Sequence, residues 1–193
     1  MKVAIVKYNS GNSCSVSFAL ERIGVSALIT SDINEIQTAD KVIFPGVGEA
    51  SSAMNFLREN KLDKMIVNLK QPVLGICLGM QLMCEQSEEG DSKCLGIFKQ
   101  KVIKFSDSNK VPQIGWNNIS NLNSALFKNV KEMEYMYFVH GYYAEKSEYT
   151  IANTNYGLEY SSALQKNNFY GVQFHPEKSG LNGQEILKNF IAL

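Results

Sequence analysis

A chain of 193 residues with 45% hydrophobic content can bury a full core, and its 19 basic residues balance 19 acidic ones. No basic stripe or charge block points to nucleic acid or an anionic membrane, and no zinc-finger spacing is present. The four cysteines, Cys14, Cys77, Cys84 and Cys94, lack CxxC spacing, and a chain of this size needs no disulfide staple, so a reducing cytoplasm is expected. The apolar start, Met1 to Val6, is too short for a signal peptide, and no run is long enough to cross a membrane.

The elements follow in order. Val3 to Val6 reads as a buried strand closed by a turn near Gly11, and Val16, Ala19, Leu20 and Ile23 recur at helical spacing. Val25 to Ile29 is strand-like, Asp32 to Thr38 is short and polar, and Lys41 to Phe44 is another strand. Strand, helix and strand in so few residues predict a βαβ unit and a parallel sheet. Pro45-Gly46-Val47-Gly48 then forms a turn, a helix carries Ala50, Ala53, Met54 and Leu57, and a second short helix holds Ile66 and Leu69. Beyond a solvated loop at Glu88 to Ser92, Leu95 to Phe105 reads as a bent strand and Ser106 to Lys110 as a turn. Trp116, the only tryptophan, reads as either a core plug or a surface anchor. Ser124 to Phe127 suggests a helical turn, and Tyr135 to His140 a strand that Gly141-Tyr142-Tyr143 continues. Tyr149 to Asn153, Glu159 to Leu164 and Phe169 to Phe174 suggest an antiparallel meander, and Leu181 to Ala192 a last helix. Residues 1–193 are expected to form one domain: three layers, with helices on both faces of an open, mostly parallel sheet that carries an antiparallel extension.

Chemistry concentrates where the apolar run Val73 to Ile76 meets Gly75-Ile76-Cys77-Leu78-Gly79 and a helical pattern begins. This is the layout of a nucleophile elbow with cysteine in place of serine. Flanking glycines suit a tight strand-to-helix turn, and the helix start points free amides at the sulfur, an environment that favours a thiolate. A thiol nucleophile needs a base, and the chain has only two histidines. His175 ends an apolar strand in Gly171-Val172-Gln173-Phe174-His175-Pro176-Glu177, where the proline halts the ladder, and Glu177 is close enough to orient the imidazole. For His140 a structural role is favoured over one on the route to a partner.

These two segments together resemble the class I (triad) glutamine amidotransferases. Pro45-Gly46-Val47-Gly48, Val111 to Asn117, Tyr137 to Tyr143 and Lys178-Ser179 are similar to the branch that forms the glutaminase subunit of imidazole glycerol phosphate synthase. The resemblance implies a flavodoxin-like fold, Cys77 as nucleophile, His175 as proton relay and Glu177 as its holder. It also implies an oxyanion hole from the backbone amides of Val47 and Leu78, and substrate contacts from Gly48 and Gln81. The implied partner is a separate (β/α)8-barrel cyclase that receives the ammonia. Trp116 and Tyr137, large aromatics next to glycine or strand segments, are expected at its interface together with Lys178. No metal or cofactor is called for. Departures from the family are Gln113 where histidine is common, Gly141 where serine is common, and the Lys7 to Asn12 opening. Two alternatives stand beside this reading: the glutaminase of another synthase (anthranilate, pyridoxal phosphate or sugar-modifying), and a cysteine peptidase or deglycase of similar fold.

Overall fold

The computed structural model describes residues 1–106 and 110–193. Five short strands form the parallel part of the sheet: β1 (Val3–Val6), β2 (Ala27–Thr30), β3 (Lys41–Phe44), β4 (Val73–Ile76) and β13 (Phe169–Val172). Their spatial order is β2-β1-β3-β4-β13. Along β1, Val3 and Ile5 enter one core and Ala4 and Val6 the other, so a continuous apolar run serves both faces of the sheet. The helices α1 (Ser13–Arg22) and α6 (Gly180–Ala192) cover the Val3 face. The other face carries α2 (Ile33–Gln37), α3 (Ala50–Glu59), α4 (Leu62–Ile66) and α5 (Leu78–Met83).

Beyond β13 the pairing turns antiparallel through β12 (Glu159–Lys166), β10 (Tyr142–Ala144) and β7 (Lys101–Lys104), with β11 (Thr150–Asn155) against β12. The sheet ends in a small hairpin of β5 (Gln86–Ser87) and β6 (Ser92–Lys93). A separate two-stranded ribbon pairs β8 (Gln113–Asn118) with β9 (Tyr135–His140).

The expected architecture holds, with local corrections. Asp32 to Thr38 is a capped helical turn, α2, because the Asp32 carboxylate accepts from Glu35 N–H at 2.9 Å. Of the bent strand expected over Leu95 to Phe105, only Lys101–Lys104 is a strand. The Glu88 to Ser92 loop is the turn of the β5–β6 hairpin. Gly141 breaks the long aromatic strand: β9 pairs in the ribbon, whereas β10 joins the main sheet. Residues 107–109 of the Ser106 to Lys110 turn lie outside the described residues.

Two adjacent strands matter most for the site. After β4 the chain leaves for α5 on one face, and after β13 for α6 on the other. A crevice therefore opens at the carboxyl ends of β4 and β13, as expected where neighbouring connections diverge. The β4–α5 turn is tight enough that a Cβ on Gly79 would lie 1.8 Å from the Phe44 carbonyl oxygen, a backbone atom unable to swing aside. Gly79→Ala should therefore lower stability by about 1–3 kcal/mol, seen as a reduced denaturant midpoint at unchanged slope.

Candidate active site

Parallel pairing sets Ile76 opposite Val172, and the Cys77 amide extends the ladder by donating to the Val172 carbonyl at 2.8 Å. Cys77 thereby follows the last pair of the ladder directly, at the mouth of the crevice. Its backbone has φ 53° and ψ −111°, a region that L residues seldom occupy. Strain of this kind costs on the order of 1–3 kcal/mol. It persists here because β4, α5 and the contacts of Gly75 and Gly79 leave the turn no other path. The thiol faces the Val139 carbonyl at 3.7 Å and receives the Gln173 side-chain N–H at 3.7 Å.

His175 follows β13 by the same logic. Its amide donates to the Tyr137 carbonyl at 2.9 Å, and its carbonyl accepts from the Ser179 hydroxyl at 2.7 Å. Imidazole Nδ1 lies 2.7 Å from Glu177 Oε1, with both side chains almost wholly buried, which leaves Nε2 for the sulfur. Burial alone would lower the imidazole pKa. The charge and hydrogen bond of Cys77, then the hydrogen bond and charge of Glu177, outweigh it and raise the value to about 10. Asn12, the residue before α1, leaves its own helix uncapped and gives its side-chain amide to Glu177 Oε1. Arg22, at the end of α1, donates to the Glu177 carbonyl at 3.3 Å. Such an arrangement supports nucleophilic attack by sulfur, with a base oriented by a carboxylate.

A cavity of about 300 Å³ opens in front of the sulfur, lined among others by Val47, Gly48, Leu78, Gln81, Glu89 and Lys178. Gln81 lies on its wall, but its side-chain nitrogen is spent on the Tyr142 carbonyl and on Gln173 Oε1, both at 2.9 Å. Neither expected oxyanion donor is free. Leu78 N–H donates to the Gly46 carbonyl at 3.3 Å, and Val47 N–H to Ser10 Oγ at 2.6 Å. The same hydroxyl donates back to the Val47 carbonyl at 2.8 Å. Glu89 faces the cavity while accepting from Ala50 N–H at 2.8 Å; half-burial pushes its carboxyl pKa up.

Trp116 is 56% exposed, which rules out the core-plug reading. It meets Tyr137 edge-on at 5.9 Å, and Lys178 Nζ sits 5.9 Å above the Tyr137 ring. Since Lys178 also lines the cavity, this aromatic patch is continuous with the cavity mouth. His140 lies beneath: Nδ1 bonds the Tyr142 carbonyl at 2.7 Å, Nε2 approaches Tyr160 Oη at 3.2 Å, and burial lowers its pKa to about 4. Gln113 takes the next place in that buried chain, accepting from Tyr160 Oη at 2.9 Å.

Sequence reasoning missed Ser10, Asn12, Glu89 and Gln173. Asn12 and Gln173 stood inside motifs already noted, but nothing in a sequence says which way an amide turns. Glu89 sits in what reads as a solvated acidic loop.

The model of the family "Glutamine amidotransferase class-I" matches residues 5–193. The imidazole glycerol phosphate synthase subunit HisH of Bacteroides fragilis strain YCH46 is 57% identical over the full length of both chains. The HisH subunit of Haemophilus influenzae Rd is 47% identical, covering 99% of this chain and 97% of that one. Among solved structures, a glutamine amidotransferase superposes with TM-score 0.78 at 15% identity, covering 100% of this chain and 98% of that one. PurLQS from Thermotoga maritima gives TM-score 0.74 at 16% identity, covering 99% and 97%. At those identities the two structures speak for the fold alone. With the strand-end cysteine and histidine and full-length relatives agreeing, the chain belongs to the class I glutamine amidotransferases, in the branch of the HisH subunits.

Proposed function

We propose that this chain is the glutaminase subunit of an imidazole glycerol phosphate synthase, a single amidotransferase domain that works in the cytoplasm. It hydrolyses glutamine and hands the ammonia to a separate cyclase subunit in histidine biosynthesis. The observation that carries the reading is the buried Cys77–His175–Glu177 arrangement at the ends of β4 and β13, in a chain 57% identical to a HisH subunit.

The Cys77 thiolate adds to the side-chain amide carbon of glutamine, forming the C–S bond and moving the carbonyl pair onto oxygen. His175, protonated at Nε2, gives its proton to the departing nitrogen as the C–N bond breaks and ammonia leaves. Water then attacks the glutamyl thioester while His175 takes its proton. Sulfur departs as thiolate, glutamate is released, and the ion pair is restored. Glu177 holds Nδ1 throughout without exchanging a proton. The Glu89 carboxylate complements the substrate's α-ammonium, and Lys178 its α-carboxylate. The patch of Trp116, Tyr137 and Lys178 is the face offered to the cyclase, because it adjoins the cavity from which ammonia departs.

In the resting state the oxyanion hole is closed, since Ser10 holds Val47 N–H and Gly46 holds Leu78 N–H. Gly48, at φ 115°, lets the adjoining peptide turn at little cost. Docking of the liganded cyclase frees the Val47 amide. One such donor is worth roughly 10²–10³-fold in rate, enough for a switch.

Cys77→Ala should abolish glutamine-dependent synthesis by the reconstituted complex and leave synthesis from added ammonium intact. Equal loss with ammonium would sink the division of labour. For wild-type complex, kcat/KM for glutamine should hold through neutral pH and fall near pH 10, as His175 loses the proton it must donate. In Glu177→Gln, losing a carboxylate that raises this pKa should move the alkaline limb to lower pH. That variant should also keep more activity than His175→Ala. Glutamine hydrolysis should rise at least about tenfold from the isolated chain to the complex with acceptor bound. An isolated chain as fast as the liganded complex would remove the gating.

A further inference from the structure

Gln173 approaches the Cys77 sulfur and Gln81 in turn holds Gln173, and neither belongs to the triad. We infer that Gln173 is a further catalytic residue, an N–H donor to the Cys77 thiolate, and that Gln81 is the positioning residue that aims it. This rests on the reading of Cys77 as nucleophile and concerns how its charge is held before substrate arrives.

The direction of each amide follows from a chain of contacts anchored on a backbone carbonyl. Tyr142 O can only accept, so the Gln81 terminal atom 2.9 Å from it is nitrogen. That nitrogen has a second proton, and its other neighbour at 2.9 Å, on Gln173, must therefore be oxygen. The remaining Gln173 terminal atom is then nitrogen, and it faces Cys77 Sγ at 3.7 Å, an ordinary length for a donor to sulfur. No choice is left in either amide. Gln173 is fully buried and Gln81 nearly so, so water does not compete for these groups. The position is also built in by the ladder, because Cys77 and Gln173 are the residues that directly follow its last pair, Ile76–Val172.

The contacts around Sγ sort its two protonation states. The Val139 carbonyl, at 3.7 Å, accepts from a thiol but repels a thiolate. Gln173 N–H and the His175 imidazolium favour the thiolate. The other titratable groups facing the site stay constant across the acid-to-neutral range or lie further off. Tyr8 and Tyr160 are held neutral by burial, with pKa values pushed well up. His140 is neutral above about 4. Glu89 and Lys178 line the outer wall, and Glu177 acts through His175.

The test is alkylation of the full-length chain by iodoacetamide as a function of pH, with the Cys77 peptide quantified by mass spectrometry and Cys14 as an exposed reference. In Gln173→Met, which keeps the volume and removes the donor, the acid limb should move up by at least about half a unit. Gln81→Met, which keeps Gln173 but frees it to turn, should move the limb in the same direction by less. If Gln173→Met does not fold, Gln81→Met decides alone. A limb that stays in place or moves down in the folded variants overturns the inference, including when melting temperature falls, since that outcome is packing alone. Because alkylation does not depend on turnover, the two readings fail separately. A wild-type complex that ignores glutamine while the limb still moves would remove the proposed function and keep the donor.

Discussion

The site depends on parallel pairing between β4 and β13, strands separated by nearly a hundred residues of sequence. Four register pairs, from Val73–Phe169 to Ile76–Val172, fix the height at which both strands end. The two segments then leave for opposite faces of the sheet, and the gap above the last pair is met by the main chain of β9. Cys77 follows the end of β4 directly, and His175 lies three residues beyond the end of β13. A shift of one residue in this ladder would turn every side chain to the opposite face, and Gly75 and Gly171, each too close to Met80 of α5 for a Cβ, hold the register against it.

Around that gap, burial and polarity are arranged in opposition. The sulfur, the imidazole and the carboxylate are all withdrawn from water, which by itself disfavours charge on each of them. Charge becomes tolerable because each group has a partner: Glu177 and sulfur for the imidazole, and Asn12 for Glu177. His140, equally buried but facing a backbone carbonyl and a tyrosine, goes the other way and stays neutral near pH 7. The two histidines of the chain thus differ by their neighbours.

Much of this was legible in the sequence because short-range rules set it. The Gly-x-Cys-x-Gly turn, the proline after His175 and the apolar runs on either side encode elbow, strand end and sheet core locally. Other features depend on distant segments meeting. Gly141 separates two strands into different sheets because β10 finds β7 as partner, and no local pattern announces that. Ser10 and Val47 face each other across the ends of β1 and β3. The orientation of Gln173 is decided by Tyr142, through Gln81. Glu89 enters the cavity only because the β5–β6 hairpin folds back toward the start of α3, where it reaches Ala50 N–H.

The ribbon strand β9 gives the molecule an unusually thin wall. Its side chains alternate, with Met136, Phe138 and His140 in the core and Tyr135 turned to solvent. Its main chain meanwhile touches both strand-end residues, the Tyr137 carbonyl at the His175 amide and the Val139 carbonyl at the Cys77 sulfur. One strand's thickness is therefore all that separates the outer aromatic surface from both Cys77 and His175. Pressure applied to that surface reaches those two residues through covalent bonds of a single peptide segment, with no intervening loop to absorb it.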